Sequence, residues 1–264
     1  MNEKLEKELI EQVRKNPSTL MNIEEQTESI CKSAIESDPT TLSYVKDQTE
    51  EMCLYVVKRN GSFLPYVRNK TERVCLEAVS ENPYAIQCVD HQTNKICMLA
   101  IERAPKTIQY IKDQSEELCL QALKLDGTVL EFIKDQTEKL CLEAVKQSGA
   151  ALKFVRKQTK EICLEAVNQD AFAIKYVNNK RYEICLATLK KNLNCIIYLD
   201  ITKSNIALAV VEASSCSNVE KNNMILTEII SKFNNKKFKD LYTKYNLWKY
   251  VNINKDNSRY FMLR

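Results

Sequence analysis

The chain has 264 residues, 44% of them apolar, a formal net charge of +4, and only three glycines and five prolines. That is enough apolar material for a core and too few turn residues for a sheet protein of this length. No run of eighteen apolar residues occurs, which excludes a membrane-spanning helix. Eleven cysteines beside a single histidine, with no CxxC, exclude the usual zinc spacings.

The opening stretch MNEKLEKELIEQVRKN predicts a polar amphipathic helix without the apolar core of a signal peptide. A soluble protein made in the cytosol is expected. From Cys31 onward a cysteine returns at Cys53, Cys75, Cys97, Cys119, Cys141, Cys163 and Cys185, 22 residues apart each time. A fixed period of this size overrides the domain count suggested by length and means an array of stacked units.

With the cysteine as position 0, position −1 is always Ile, Met, Val or Leu, position +3 is mostly alanine, and position +4 is Ile, Val or Leu. Apolar sites at −1, 0, +3 and +4 share one face of an α-helix. Position −4 is threonine or serine from Thr27 to Thr159, able to cap the first free N–H groups. Asp38-Pro39, Asn60-Gly61, Asn82-Pro83 and Asp126-Gly127 stand at +7 and +8. They end the first helix, with glycine expected as its C-terminal cap, and start a second of about two turns. The second helix has apolar sites at +11, +13 and +14, and is too short to form alone in water. Two degenerate copies, centred on Leu9 and Ala207, extend the series. The expected fold is all-α, an α-solenoid of about ten 22-residue helical-hairpin repeats with a C-terminal helical cap. The array is expected over residues 1–217 and the cap over 218–264. The ladder cysteines read as small buried hydrophobes in a reduced state.

The stretch DQTEKLCLEAVKQSGAALKFV, residues 135–155, resembles an uncharacterised helical repeat family, a domain of unknown function abundant in giant viruses of amoebae (mimivirus-like). Its members carry a similar LEAVKQNG and AL.YV pattern at a period of about 22–23 residues. The likeness covers roughly Leu9 to Leu199. It implies a viral protein in a host cytoplasm, with virion association as a further option, and transfers no activity.

Beyond about Asn218 the period stops. Residues 221–264 hold ten Lys or Arg against Glu228, Asp240 and Asp256, together with eight aromatics. This segment reads first as a capping element for the last hairpin. As an alternative it offers nucleic-acid contacts at Lys236, Lys237, Lys239, Tyr242, Lys244, Tyr245, Trp248 and Lys249.

Catalysis finds little support. The three glycines all fall at +8, so no phosphate-cradling loop is expected. His91, near Cys88, reads as an exposed linker residue, and Glu77, Glu143 and Glu165 read as a solvated stripe. Two ladders carry the functional expectation. Position +13 is aromatic (Tyr44, Tyr66, Tyr110, Phe132, Phe154, Tyr176, Tyr198), and position +15 is basic at Lys46, Arg68, Lys112, Lys134 and Arg156. The expected function is a non-enzymatic scaffold whose +15 stripe meets an acidic protein or peptide. Nucleic-acid binding through the tail and these ladders is the alternative. No catalytic residue, metal, cofactor, membrane contact or small-molecule substrate is expected.

Overall fold

A computed structural model describes residues 2–200. The described residues hold nine α-helices: α1 Glu3–Lys15, α2 Glu28–Ser37, α3 Glu50–Arg59, α4 Glu72–Glu81, α5 Asn94–Arg103, α6 Glu116–Leu125, α7 Glu138–Gln147, α8 Lys160–Gln169 and α9 Tyr182–Lys191. Each is followed by a six-residue 3₁₀ helix, from Pro17–Asn22 to Leu193–Tyr198. The fold is an all-helical repeat array with a 22-residue step. The described residues divide into two compact units, one of 2–125 with Phe132–Lys134, the other of Asp126–Glu131 with 135–200. The expected tenth copy and the 218–264 segment lie outside the described residues.

The α-helices form where the pattern predicts. In α2, Ile30, Cys31, Ala34 and Ile35 are all at most 3% exposed, and the same four positions are buried in α4, α5, α6, α7 and α8. The small side chains at 0 and +3 let successive helices of a unit pack closely. Helices α2 to α8 start on their predicted caps: the hydroxyls of Thr27, Thr49, Thr71, Thr93, Ser115, Thr137 and Thr159 accept from the N–H three residues on, at 3.3–3.4 Å, whereas α9 starts on Arg181 without a side-chain cap. The threonine hydroxyl then donates to the first-turn glutamate of the preceding helix, as in Thr27 to Glu6 (2.6 Å), Thr71 to Glu50 (2.7 Å) and Thr159 to Glu138 (3.0 Å). One oxygen thus caps the start of a helix and ties it to its neighbour.

Three details differ from expectation. The second helix is 3₁₀, closed by bonds such as Val45 N–H to Leu42 O at 3.1 Å. Residues three apart eclipse in that geometry, which puts +11 and +14 on the inner face together. Accordingly Leu42 and Val45 are fully buried, whereas Tyr44 at +13 is 40% exposed. The remaining inner site is +10, where Thr41 and Thr107 hide their polarity by donating to the +7 carbonyl at 2.6 and 2.7 Å.

The glycines also act differently. None of the three has a left-handed φ, so none is the expected C-terminal cap. The +7 residue makes the turn instead. The N–H of Asp38 closes α2 on Ala34 O (2.8 Å), and its carboxylate accepts from Thr40 N–H (2.9 Å) to start the 3₁₀ helix. Glycine at +8 serves close approach. A Cβ on Gly61 would stand 2.1 Å from the carbonyl oxygen of Ala78, at +3 of the next repeat, and one on Gly149 2.7 Å from Ala166 O. The N–H that glycine keeps, and proline would lack, is used at Gly127 and Gly149. Each donates at 2.7 Å to the side chain of a glutamine in the following helix, Gln147 or Gln169.

The ladder thiols lie inside. Cys31, Cys53, Cys75, Cys97, Cys119, Cys141, Cys163 and Cys185 are all at most 4% exposed and unbridged. Burial pushes Cys141 and Cys163 above the usual thiol range and Cys185 up to about 11.

Candidate binding face

The outward edge of each repeat is built by a residue whose role the sequence did not disclose. Position −5 in the linker is glutamine at Gln26, Gln48, Gln92, Gln114, Gln136 and Gln158. The Gln48 amide donates to Leu42 O of the preceding 3₁₀ helix (2.8 Å) and to Tyr66 O of its own repeat's 3₁₀ helix (3.0 Å). Its oxygen accepts from Arg68 N–H (2.9 Å). Gln26, Gln92 and Gln114 repeat the pattern in the first unit, and Gln136 and Gln158 in the second. A half-buried amide with both donors and its acceptor engaged fixes the register of one 3₁₀ helix on the next.

The fourth repeat shows what replaces it. Position −5 is Lys70, which cannot accept an N–H, and its ammonium instead pairs with the Asp90 carboxylate at 2.9 Å. Asp90 sits at +15 of the same repeat, where the neighbours carry a cation. Lys70 holds the Asp90 carboxyl below the usual range, with Lys112 and His91 adding to the effect. Lys180 and Asp200 occupy the same two positions in the ninth repeat.

The predicted cation stripe lies on this edge and is exposed, but its heads have an internal role. Lys46 Nζ donates to Glu24 O (2.6 Å), Arg68 to Lys46 O (2.8 Å), Lys112 to Asp90 O (2.9 Å) and Lys134 to Lys112 O (2.7 Å). Each reaches the +15 carbonyl one repeat back. Arg156 is exposed, with its own N–H on Gln136 Oε1 at 3.0 Å. A cation on a neutral carbonyl keeps its charge, so the stripe still presents positive potential. In the first unit, though, an acid often follows it: Asp47 after Lys46 and Asp113 after Lys112.

The aromatic ladder is half-buried to exposed. Buried Val45 separates Tyr44 from Lys46 and turns both outward in the extended chain. The rings touch ladder neighbours edge-on: Tyr84 at +9 meets Tyr110 at +13 of the next repeat with centroids 6.1 Å apart. Phe172 meets Tyr198 likewise at 6.4 Å. In repeats seven and eight the lysine at +12 lies over the ring at +13, Lys153 4.4 Å from the Phe154 centroid and Lys175 4.7 Å from that of Tyr176.

His91 is exposed in the linker of the fourth repeat, as expected, and half-buried Cys88 ends the 3₁₀ helix before it. Glu77, Glu143 and Glu165 are half-buried on the α-helical side, and Glu77 borders a shallow groove with Leu76 and Leu99. Lys236, Lys237, Lys239, Tyr242, Lys244, Tyr245, Trp248 and Lys249 lie outside the described residues. No described helix is long and apolar enough to cross a membrane.

A family model described as a domain of unknown function (DUF4116) matches residues 137–181, the seventh and eighth repeats from the cap of α7 to the linker before α9. Comparisons with curated proteins and with solved structures return no significant match.

Proposed function

We propose that the protein is a non-enzymatic scaffold that binds a partner protein along the 3₁₀ edge of its repeats. One observation carries the reading. The glutamine ladder engages the backbone of successive 3₁₀ helices and leaves +9, +12, +13, +15 and +16 as an outward row of rings and charges at a constant step. Repeat arrays use such rows as extended binding surfaces. The likeness of residues 135–155 to a giant-virus repeat family supports a viral origin and action in a host cytoplasm, with incorporation in the particle as a variant of the same scaffold role. Cross-linking mass spectrometry on the full chain in infected cells tests the reading. Partner cross-links clustered on lysines of the α-helical side, such as Lys58 and Lys139, and none on Lys46, Lys112, Lys134 or Lys153, would refute it.

Nucleic-acid binding is the second reading, favoured by the basic composition of residues 221–264 and the charge retained by the +15 stripe. A gel shift that weakens steeply between low and physiological salt would support it.

A further inference from the structure

The 3₁₀ edge is not uniform in charge. Six positions of each repeat lie along it: +12, +13, +15 and +16, then the linker sites −5 and −4 of the next. In the first unit they mix signs, with Glu24 and Glu25 in the first repeat, Lys46 beside Asp47, Lys70 paired to Asp90, and Lys112 beside Asp113. In repeats seven and eight the same positions hold Lys153, Arg156, Lys157, Lys175, Lys180 and Arg181, with no acid among them. Lys180 is half-buried with its ammonium on Val177 O (2.9 Å) and has Asp200 at the position that Asp90 takes beside Lys70, and the other five are exposed. The acids of these two repeats stand elsewhere. Glu138, Glu143, Glu161 and Glu165 are on the α-helices, and Asp170 caps the 3₁₀ helix Ala171–Tyr176 by accepting from Phe172 N–H at 2.9 Å. Glu183 in α9 is engaged by Lys160 at 3.0 Å. All six cations belong to one compact unit. Between them Gln158, Thr159, Asn178, Asn179 and Arg181 line a pocket in which the Gln158 amide and the Thr159 hydroxyl already donate within the fold, so its outward polar groups are those of exposed Asn178, Asn179 and Arg181.

We propose that this patch docks an acidic, extended segment of a partner protein. The inference rests on the scaffold reading and assigns that scaffold's charged contact to two repeats instead of the whole +15 stripe. Two stacked repeats span on the order of 20 Å, the reach of roughly six extended residues, so a short run of Asp and Glu matches both length and sign. Single-stranded nucleic acid would need open aromatic faces for stacking. Here Lys153 and Lys175 already lie over Phe154 and Tyr176, so the carboxylate-bearing chain is the better fit.

The test is fluorescence polarisation with the full-length protein and two labelled probes, deca-glutamate and a ten-nucleotide oligo-uridylate. Lys153→Glu, Lys157→Glu and Lys175→Glu are combined in one variant; all three side chains are exposed, and an unchanged melting temperature checks the fold. Matching reversals are made at Lys46 and Lys112 in the first unit and at Lys236, Lys237 and Lys239 in the tail. Deca-glutamate affinity should fall at least tenfold in the patch variant and less than about twofold in the other two, and weaken with salt. Glutamine at the three patch positions should give an intermediate loss. Absence of deca-glutamate binding, a loss carried only by the tail variant, or tighter binding of oligo-uridylate at the patch overturns the proposal. If cross-linked partners still map to the first unit's 3₁₀ edge when the patch variant behaves as wild type, the scaffold reading stands and the patch assignment falls.

Discussion

Replacing Gln48 with alanine tests whether the linker amide holds the repeats in register. Three hydrogen bonds with the backbone disappear, together with the weak one from the Cys53 thiol at 3.8 Å, and they are not equivalent. Leu42 O also accepts from Val45 N–H at 3.1 Å, so it keeps a partner. Tyr66 O and Arg68 N–H lose the side chain that served them. A buried polar group left without a partner costs about 1–3 kcal/mol. Tyr66 O is part-buried and Arg68 N–H exposed, so water reaches both, the lower end applies, and the expected loss is about 1–2 kcal/mol in total. Gln48→Glu is the sharper control. Its carboxylate can still accept from Arg68 N–H but cannot donate, and it sets negative charge against two carbonyl oxygens. It should therefore destabilise at least as much as alanine despite being nearly isosteric. The fourth repeat suggests a rescue: Gln48→Lys with Arg68→Asp recreates the Lys70–Asp90 arrangement and should be more stable than the sum of its singles, by about 0.5–1 kcal/mol for a partly exposed pair. Urea unfolding followed by far-UV circular dichroism gives these differences from the midpoint shifts. If Gln48→Ala moves stability by less than about 0.5 kcal/mol, or Gln48→Glu is better tolerated than alanine, the amide is incidental and the register is set by core packing alone.

Alanine at the +8 glycines should destabilise in the order of the clash each Cβ meets, Gly61 (2.1 Å from Ala78 O) more than Gly149 (2.7 Å from Ala166 O), with thermal melts showing losses of about 1–3 kcal/mol. Titration of the native chain with a bulky disulfide reagent should modify half-buried Cys88 long before any ladder cysteine, none of which exceeds 4% exposure. Stability should also fall in alkali. The folded state raises the pKa of Cys31, Cys53, Cys75, Cys97, Cys141, Cys163, Cys185 and Cys195, so it holds protons that the unfolded chain gives up. That contribution is complete below the unfolded thiol pKa of about 8.5 and drains as pH rises towards the folded values. Urea midpoints at pH 7.5, 9 and 10.5 should therefore decrease in steps, and serine at Cys185 should flatten the last step.

The sequence shows its α-helices plainly because their evidence is local. Ile30, Cys31, Ala34 and Ile35 are neighbours on one helical face, Thr27 is three residues from the N–H it caps, and Asp38 turns the chain within two residues of itself. The 3₁₀ helix is less legible. Position +13 reads as apolar and +10, sometimes threonine, gives no signal, yet the eclipsed geometry buries +10 and turns +13 outward. Nothing in Thr41 announces that its hydroxyl will be consumed by Asp38 O. The glutamine is the least legible of all. In a polar DQT linker it looks solvated, and its partners come from 6 residues before and from 18 and 20 residues after, a convergence that exists only once repeats stack. A trace of it was present nonetheless. The amide recurs six times, and where lysine replaces it, at Lys70 and Lys180, an aspartate stands 20 residues on, at Asp90 and Asp200.

That compensation separates framework from function in this chain. The helix caps, the glutamine ladder and the carbonyl contacts of the +15 cations all end on backbone or on residues of fixed position within the repeat. Backbone groups are the same whatever side chain they carry, so the outward positions +9, +12 and +16 can change without disturbing the register. The variation seen there has that character: +12 runs through Met21, Ser43, Pro65, Gln87, Gln109, Glu131, Lys153 and Lys175 with no change in the length of the 3₁₀ helix that holds it. An array built this way can place charge on chosen repeats independently of its stability. Of the six cations on repeats seven and eight, Lys180 takes the framework position −5 and Arg156 the position +15, but Lys153, Lys157 and Lys175 stand at the freely varying +12 and +16, where the register calls for no cation. Exposed like charges repel one another, and a patch that costs the fold a little while supplying nothing to its core is what a binding surface requires.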